Sequence, residues 1–172
     1  DVDDGRFSYI NLAEYETHGT TLKLDYQASE RLSITTGGAL TRIFNEVSTE
    51  IKGPPRFQNL YEWRNELNYR VPKAGVNLQI DHRYVGRRDR YQLMDDGSVS
   101  RGFIGDYHLL HLTLNKSLWK DRIRLSGGVK NLLNRDRVPV TGEGGNGAHS
   151  GGGGTQLIDY GRSLFISGGV TW

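Results

Sequence analysis

The sequence predicts an all-β protein of seven antiparallel strands, on three observations. Apolar side chains return at every second position through most of the chain. Sustained apolar spacing of three and four residues with helix caps is missing. The connections alternate strictly between short and long.

The first two strands are expected within "YETHGTTLKLDYQ" and "RLSITTGGALTRIF". The third sets Tyr61, Trp63, Leu67 and Tyr69 against Glu62, Arg64, Glu66 and Asn68. The fourth sets Val76, Leu78, Ile80 and Tyr84 against Asn77, Gln79, Asp81 and Arg83. In the fifth, Leu110, Leu112 and Leu114 oppose His111, Thr113 and Asn115. In the sixth, Ile123, Leu125 and Val129 oppose Arg122, Arg124, Ser126 and Lys130. The last places Leu164, Ile166, Gly168, Val170 and Trp172 on one face and Ser163, Ser167, Gly169 and Thr171 on the other. Because a strand's side chains alternate between faces, each segment has one greasy and one polar side. "QASER", "VPKAG" and "LWKDR" read as tight turns. "NEVSTEIKGPPRF", "RDRYQLMDDGSVSRGFIGD" and "DRVPVTGEGGNGAHSGGGGTQ" read as long loops.

Composition narrows the function classes. With 22 basic against 20 acidic residues, nothing suggests a nucleic-acid partner. The absence of cysteine removes disulfides, thiolate metal sites and cysteine nucleophiles. No run approaches the 18 to 20 or so apolar residues of a membrane-spanning helix, so any bilayer crossing is by strands. The start "DVDDGRF" lacks signal-peptide character, an expectation that the N-terminus is processed or internal to a longer precursor. The glycine-rich stretch 141–156 lacks the strand–loop–helix setting of a phosphate-cradling loop.

The greasy face would be the core of a soluble sandwich, or the lipid-facing wall of an outer-membrane barrel with short turns on one side and long loops on the other. The aromatics favour the barrel. Tyr26, Tyr69, Trp119 and Trp172 stand by the short turns, and Phe44, Tyr61, Tyr84, Tyr91 and Tyr107 lie towards the long loops, as the two interface girdles of a membrane barrel would require.

Four stretches carry a family likeness: "YETHGTTLKLDYQASERLSITTGGAL", "PPRFQNLYEWRNELNY", "GVKNLLNRDRV" and "YGRSLFISGGVTW". With them, nearly the whole chain, residues 1–172, resembles the C-terminal part of the β-barrel of TonB-dependent outer-membrane transporters. The last two, in this order and this close to the terminus, are the more specific. The terminal Trp172 departs from the phenylalanine that more often ends the family.

The resemblance implies active import across the bacterial outer membrane of a scarce nutrient: a siderophore, haem, cobalamin or an oligosaccharide. It implies a barrel of about 22 strands around a plug that is pulled by the TonB complex. Neither a plug nor a TonB-contacting box is recognisable here, so the barrel is expected to be completed by the N-terminal portion of the transporter. That portion would carry the plug and about fifteen strands on the family's count, as a separate or cleaved chain. Cleavage in a long loop is the favoured origin, since it leaves strand pairing intact. Outer-membrane lipids are the other partner, with room for a surface lipoprotein over the mouth. The long loops are expected outside, and the short turns and C-terminus in the periplasm. A structural or adhesive multi-chain barrel without transport is the alternative.

Ligand contacts are expected from the long loops: Arg87, Arg88, Arg90 and Tyr91 after the fourth strand, and His149 and Gln156 in the last loop. The arginines suit an anionic substrate through forked hydrogen bonds, against the favoured plain reading of contact with lipopolysaccharide phosphates or simple solubility. His149, flanked by glycines, could ligate haem iron or be an ordinary loop residue. Glu62, Arg64, Glu66, Asn68, Gln79, Asp81, Arg83 and Lys130 are expected to face the lumen and either meet the plug or pair with each other. His108 and His111 fall on opposite faces, and no metal cluster forms around His18, His82 and His149. No nucleophile with a base emerges, so neither enzyme chemistry nor a cofactor is expected.

Overall fold

The computed structural model describes residues 15–45, 57–93, 99–142 and 154–172. The chain forms β1 (Tyr15–Ser29), β2 (Leu32–Asn45), β3 (Gln58–Val71), β4 (Val76–Val85), β5 (Arg88–Leu93), β6 (Val99–Ile104), β7 (Tyr107–Leu118), β8 (Ile123–Lys130), β9 (Arg137–Val140), β10 (Gly154–Leu157) and β11 (Ser163–Val170). Seven of these make one sheet in the order β1-β2-β3-β4-β7-β8-β11. Every neighbouring pair in it is antiparallel, so the sheet is an up-and-down meander of the seven expected strands.

Register sorts the side chains as the alternation requires. Asn68 lies opposite Gln79, Glu66 opposite Asp81, and Asp81 opposite His111, forming one charged face. Leu67 lies opposite Ile80 and Ile80 opposite Leu112, forming the apolar face. That apolar face is uncovered: Leu22 is 70% exposed, Leu164 81% and Ile166 87%. An apolar stripe of this extent on an isolated chain marks a surface that meets lipid or protein.

The short connections are tight, and two of them depend on left-handed backbone. Gly75 closes the β3–β4 turn at φ 59°, donating its N–H to the Val71 carbonyl. The β7–β8 turn runs through three consecutive positive-φ residues, Trp119, Lys120 and Asp121. Trp119 and Trp172 are both exposed at this end of the sheet, and Thr171 donates its N–H to the Arg122 carbonyl, extending the ladder just past β11.

The long connections are less irregular than the sequence reading expected. β5, β6, β9 and β10, all read as loop, form a second sheet in the order β10-β9-β6-β5. These strands are only four to six residues long, and β9 contains Pro139, so local alternation gave no signal. The junction between β6 and β9 joins segments distant in sequence: Thr141 donates its N–H to Phe103 O and accepts from Phe103 N through its hydroxyl, at 2.9 and 3.1 Å. The buried apolar residues Val85, Leu109, Val138 and Val140 lie in β4, β7 and β9, at this loop end of the molecule.

At Gly102 the two long connections pack backbone to backbone, so a Cβ there would run into the Thr141 carbonyl. Gly102→Val is therefore expected to part β6 from β9 at an overpacking cost of about 1–3 kcal/mol. Faster trypsin cleavage at Arg101, with the seven-stranded sheet intact by circular dichroism, is the expected result; unchanged cleavage would count against this junction.

Among the aromatics set towards the long loops, Tyr61 and Tyr84 stand exposed or half-buried on the apolar face. Phe44 is buried instead, with its ring 5.8 Å from Phe57. Tyr91 belongs to the second sheet, and Tyr107 points to the face opposite Tyr84, since successive positions across the β4–β7 pair alternate. Girdle membership thus depends on which face a residue occupies as well as on its position along the strand.

Candidate functional site

The charged face carries the densest polar chemistry. Glu62 on β3 accepts from Arg83 Nη2 on β4 at 2.8 Å through one oxygen and from Arg64 Nη2 at 3.4 Å through the other. Asn68 Nδ2 donates to Glu66 at 2.6 Å, and the Gln79 amide donates to both Asp81 oxygens at 3.1 Å. Towards β1, the Thr35 hydroxyl donates to Asp25 at 2.6 Å, and Lys23 lies 3.0 Å from the same carboxylate. These links join residues two apart on one strand or neighbours across a pair, the two separations that put side chains on one face.

Glu62, Arg64, Glu66, Asp81 and Arg83 from this set line a groove of about 620 Å³ that runs from Thr21 and Lys23 on β1 to His111 on β7. Its ion pairs are only partly buried, and such pairs are individually weak and exchangeable. The sequence-predicted set Glu62, Arg64, Glu66, Asn68, Gln79, Asp81 and Arg83 is thus brought together on one face. Lys130, on β8, shares that face further along, with its ammonium 5.6 Å from the Phe165 ring. Phe165 was not singled out in the sequence; it lies over Gly128, whose missing side chain leaves room for the ring.

The apolar face carries a polar ladder that sequence reading passed over. The Thr36 hydroxyl donates to Asn65 Oδ1 at 2.6 Å, and Trp63 Nε1 donates to the same oxygen at 3.0 Å. With that oxygen accepting, the Asn65 Nδ2 is the donor to His82 Nδ1 at 2.9 Å. His82 is then the neutral tautomer protonated at Nε2, which donates to His108 Nδ1 at 2.9 Å. The His82 and His108 rings stack with centroids 5.2 Å apart, and Tyr84 lies against His108 at 4.8 Å. The signal was present: Asn65 and His82 are the two interruptions in the apolar alternation of β3 and β4, and the register places them opposite each other. Polar groups on a face away from water are tolerated when they satisfy one another in this way.

At the loop end, the stretches 128–138 and 160–172 grip each other. Asn131 is fully buried at φ 50°; its amide nitrogen donates to the carbonyls of Arg135 (2.9 Å) and Tyr160 (3.3 Å), and its oxygen accepts from Arg135 N (2.9 Å). The Asn131 N–H in turn donates to His111 Nδ1 at 3.1 Å. Asn134, at φ 54°, accepts from Arg162 N at 2.8 Å, while Arg162 Nε donates to the Leu132 carbonyl at 3.0 Å. Asparagine suits both places because it tolerates left-handed backbone and offers a donor and an acceptor on a short side chain. The two most family-like motifs of the sequence therefore form one clasp that sets where β11 begins.

The expected loop cluster does not converge. Arg87 lies over the Phe103 ring at 4.2 Å, before β5 begins. Arg88 and Arg90 project from one side of β5 and Tyr91 from the other, by strand alternation. The Arg101 guanidinium is 5.9 Å from the Tyr91 ring and pairs with Asp89 at 3.3 Å. Burial pushes the Tyr91 phenol above its ordinary pKa, and its hydroxyl has no partner among the described residues. Gln156 is exposed on β10, opposite Val138. His149 lies outside the described residues.

Comparison with known proteins agrees with this architecture. No curated protein and no solved structure matches the chain significantly. Residues 5–151 match the outer membrane protein beta-barrel family, and that span covers most of the meander as well as β5, β6 and β9. The chain, with its two-faced antiparallel meander, therefore belongs to the outer membrane protein β-barrel family.

Proposed function

We propose that this sheet is the C-terminal sector of a TonB-dependent importer for a scarce nutrient such as a siderophore, haem, cobalamin or an oligosaccharide. The observation that carries the reading is the charged face: a concave wall of half-buried, exchangeable ion pairs centred on Glu62, Arg64 and Arg83. Such a wall suits a polar plug that must dock firmly and be released, because each contact has a replacement partner on the same sheet. The likeness of "GVKNLLNRDRV" and "YGRSLFISGGVTW" to the transporter family supports the same reading, and the clasp between them gives both motifs a physical reason.

In this reading the apolar face meets lipid, the second sheet lies outside the cell, and the short turns and C-terminus lie in the periplasm. The plug and further strands of a barrel of about 22 come from the N-terminal portion of the transporter, in the same polypeptide or a separate or cleaved one. That portion also contacts the TonB complex, and a surface lipoprotein can sit over the mouth. The sector itself does no catalysis.

The test is mass spectrometry of the detergent-extracted assembly, together with accumulation of radiolabelled ferric siderophore, haem and cobalamin before and after a protonophore. A stoichiometric plug-bearing segment and protonophore-sensitive uptake of one probe are expected. An assembly without a plug would retire import in favour of a structural barrel.

A further inference from the structure

The charged face changes character along its strands. In its middle, carboxylates and cations are matched: Glu62 takes Arg64 and Arg83, and Asp25 takes Lys23. Towards the short turns, beyond Asp25, Glu66 and Asp81, the described strands bring no further acidic side chain to this face. They bring amides, hydroxyls and, at the rim, Arg70 and Arg124, joined by Arg31 and Arg122 where the strands meet the turns. The acidic residues of this end, Glu30 and Asp121, sit in the turns themselves and pair with no arginine among the described residues.

The four arginines stand as two pairs of like charge. Arg70 donates its backbone N–H to the Arg31 carbonyl at 2.8 Å, so those two side chains leave neighbouring positions. Arg122 and Arg124 are two apart at the start of β8, with Arg124 opposite Ser117 on β7 and Gly169 on β11. All four are exposed and none forms an ion pair among the described residues, whereas Arg64, Arg83, Arg101 and Arg137 each lie 2.8–3.9 Å from a carboxylate. Like charges on neighbouring strands repel, and a carboxylate between them converts the repulsion into charge-assisted hydrogen bonds. Beside Arg124 the wall also opens into a hollow of about 450 Å³, lined by Asn77, Asn115, Ser117 and Ser126, in which Arg124 and Lys116 are the charged residues. At Gly169 in its lining, an added Cβ would meet nothing within 4 Å. Amide and hydroxyl donors around a guanidinium suit a carboxylate.

We propose that this arginine collar docks an acidic peptide segment on the charged face at the short-turn end, with one carboxylate between Arg31 and Arg70 and another in the hollow beside Arg124. Lipid headgroups do not suit the place, because the arginines belong to the charged face and not to the apolar one. A single small anion does not span it: Arg70 on β3 and Arg124 on β8 are three strand spacings apart, about 14 Å, which an extended peptide covers in about four residues. The inference rests on the plugged sector proposed above and adds the chemistry of the segment that fills it: at this end its surface is acidic.

The test uses the full polypeptide carrying this sequence, in detergent after extraction from its own outer membrane. Arg70→Lys and Arg124→Lys keep each charge but supply an amine that a water-soluble carbodiimide joins to a touching carboxylate, and mass spectrometry of the digest names the partner peptide. Each new lysine is expected to be joined to an Asp or Glu of a segment outside the seven strands, at several times the yield of Lys73 in the neighbouring turn. Arg31→Glu is expected to abolish the Arg70→Lys product. Coupling confined to Glu30 or Asp121, or no better than at Lys73, would overturn the inference. Should a lysine variant fail to assemble, phenylglyoxal modification of the wild type replaces it: the four collar arginines are expected to react more slowly than the exposed Arg135, and equal rates would overturn the docking site. A plug-bearing assembly with no such coupling leaves import standing without this site, whereas coupling in an assembly with no protonophore-sensitive uptake retires import and keeps the site.

Discussion

Ile80→Arg is expected to cost about 2–4 kcal/mol and to keep the protein out of the heat-modifiable, folded outer-membrane form, whereas Gln79→Arg one residue away is expected to be nearly silent. Ile80 lies in the interior of the sheet, opposite Leu67 on one side and Leu112 on the other, on the apolar face. A guanidinium placed there has no water and no carboxylate neighbour on its own face. Gln79 points to the charged face and already donates to both oxygens of Asp81, so an arginine there exchanges one donor to that carboxylate for another. Heat-modifiability on gels and fractionation of the two variants check the contrast. Equal behaviour would mean that the apolar face meets water, which would remove the physical basis for reading it as a membrane wall.

Asn131→Leu should be the most damaging single change away from the membrane face, at about 2–5 kcal/mol. Two costs combine. A β-carbon-bearing apolar residue at φ 50° carries about 1–2 kcal/mol of backbone strain, and the Arg135 N–H and the Arg135 and Tyr160 carbonyls lose buried partners for roughly 1–3 kcal/mol more. Asn131→Gly separates the two, since glycine accepts the backbone and loses only the hydrogen bonds. Thermal unfolding in detergent should therefore rank wild type above Asn131→Gly and Asn131→Gly above Asn131→Leu. If glycine and leucine were equivalent, strain would play no part in the clasp.

Much of the main sheet was legible because its cause is local. A side-chain period of two over eight or more residues, as in "VNLQIDHRYV", is imposed by the pleat itself and needs no knowledge of the partner strand. The alternation of short and long connections then ordered the strands, since neighbours joined by tight turns must pair antiparallel. The charged-face residues were legible for the same reason, and Glu62, Arg64 and Arg83 meet where their parity places them.

What stayed hidden was whatever depends on register between distant segments. β6 and β9 pair at Ile104 and Val140, and neither strand is long enough to announce itself. The loop arginines illustrate the consequence: adjacent in sequence, Arg87, Arg88, Arg90 and Tyr91 are dispersed by the alternation of β5. The His82–His108 pair is the opposite case, since residues from different strands become neighbours only once β4 and β7 pair across an intervening hairpin.

The sequence by itself thus determined the seven strands of the main sheet, its two faces and the tight turns, because pleat geometry and turn chemistry act over a few residues. Only the tertiary structure decided the second sheet, the histidine ladder and the asparagine clasp. Each depends on contacts between segments far apart in sequence, His82 to His108, Phe103 to Thr141 and Asn131 to Tyr160, whose register no local pattern encodes.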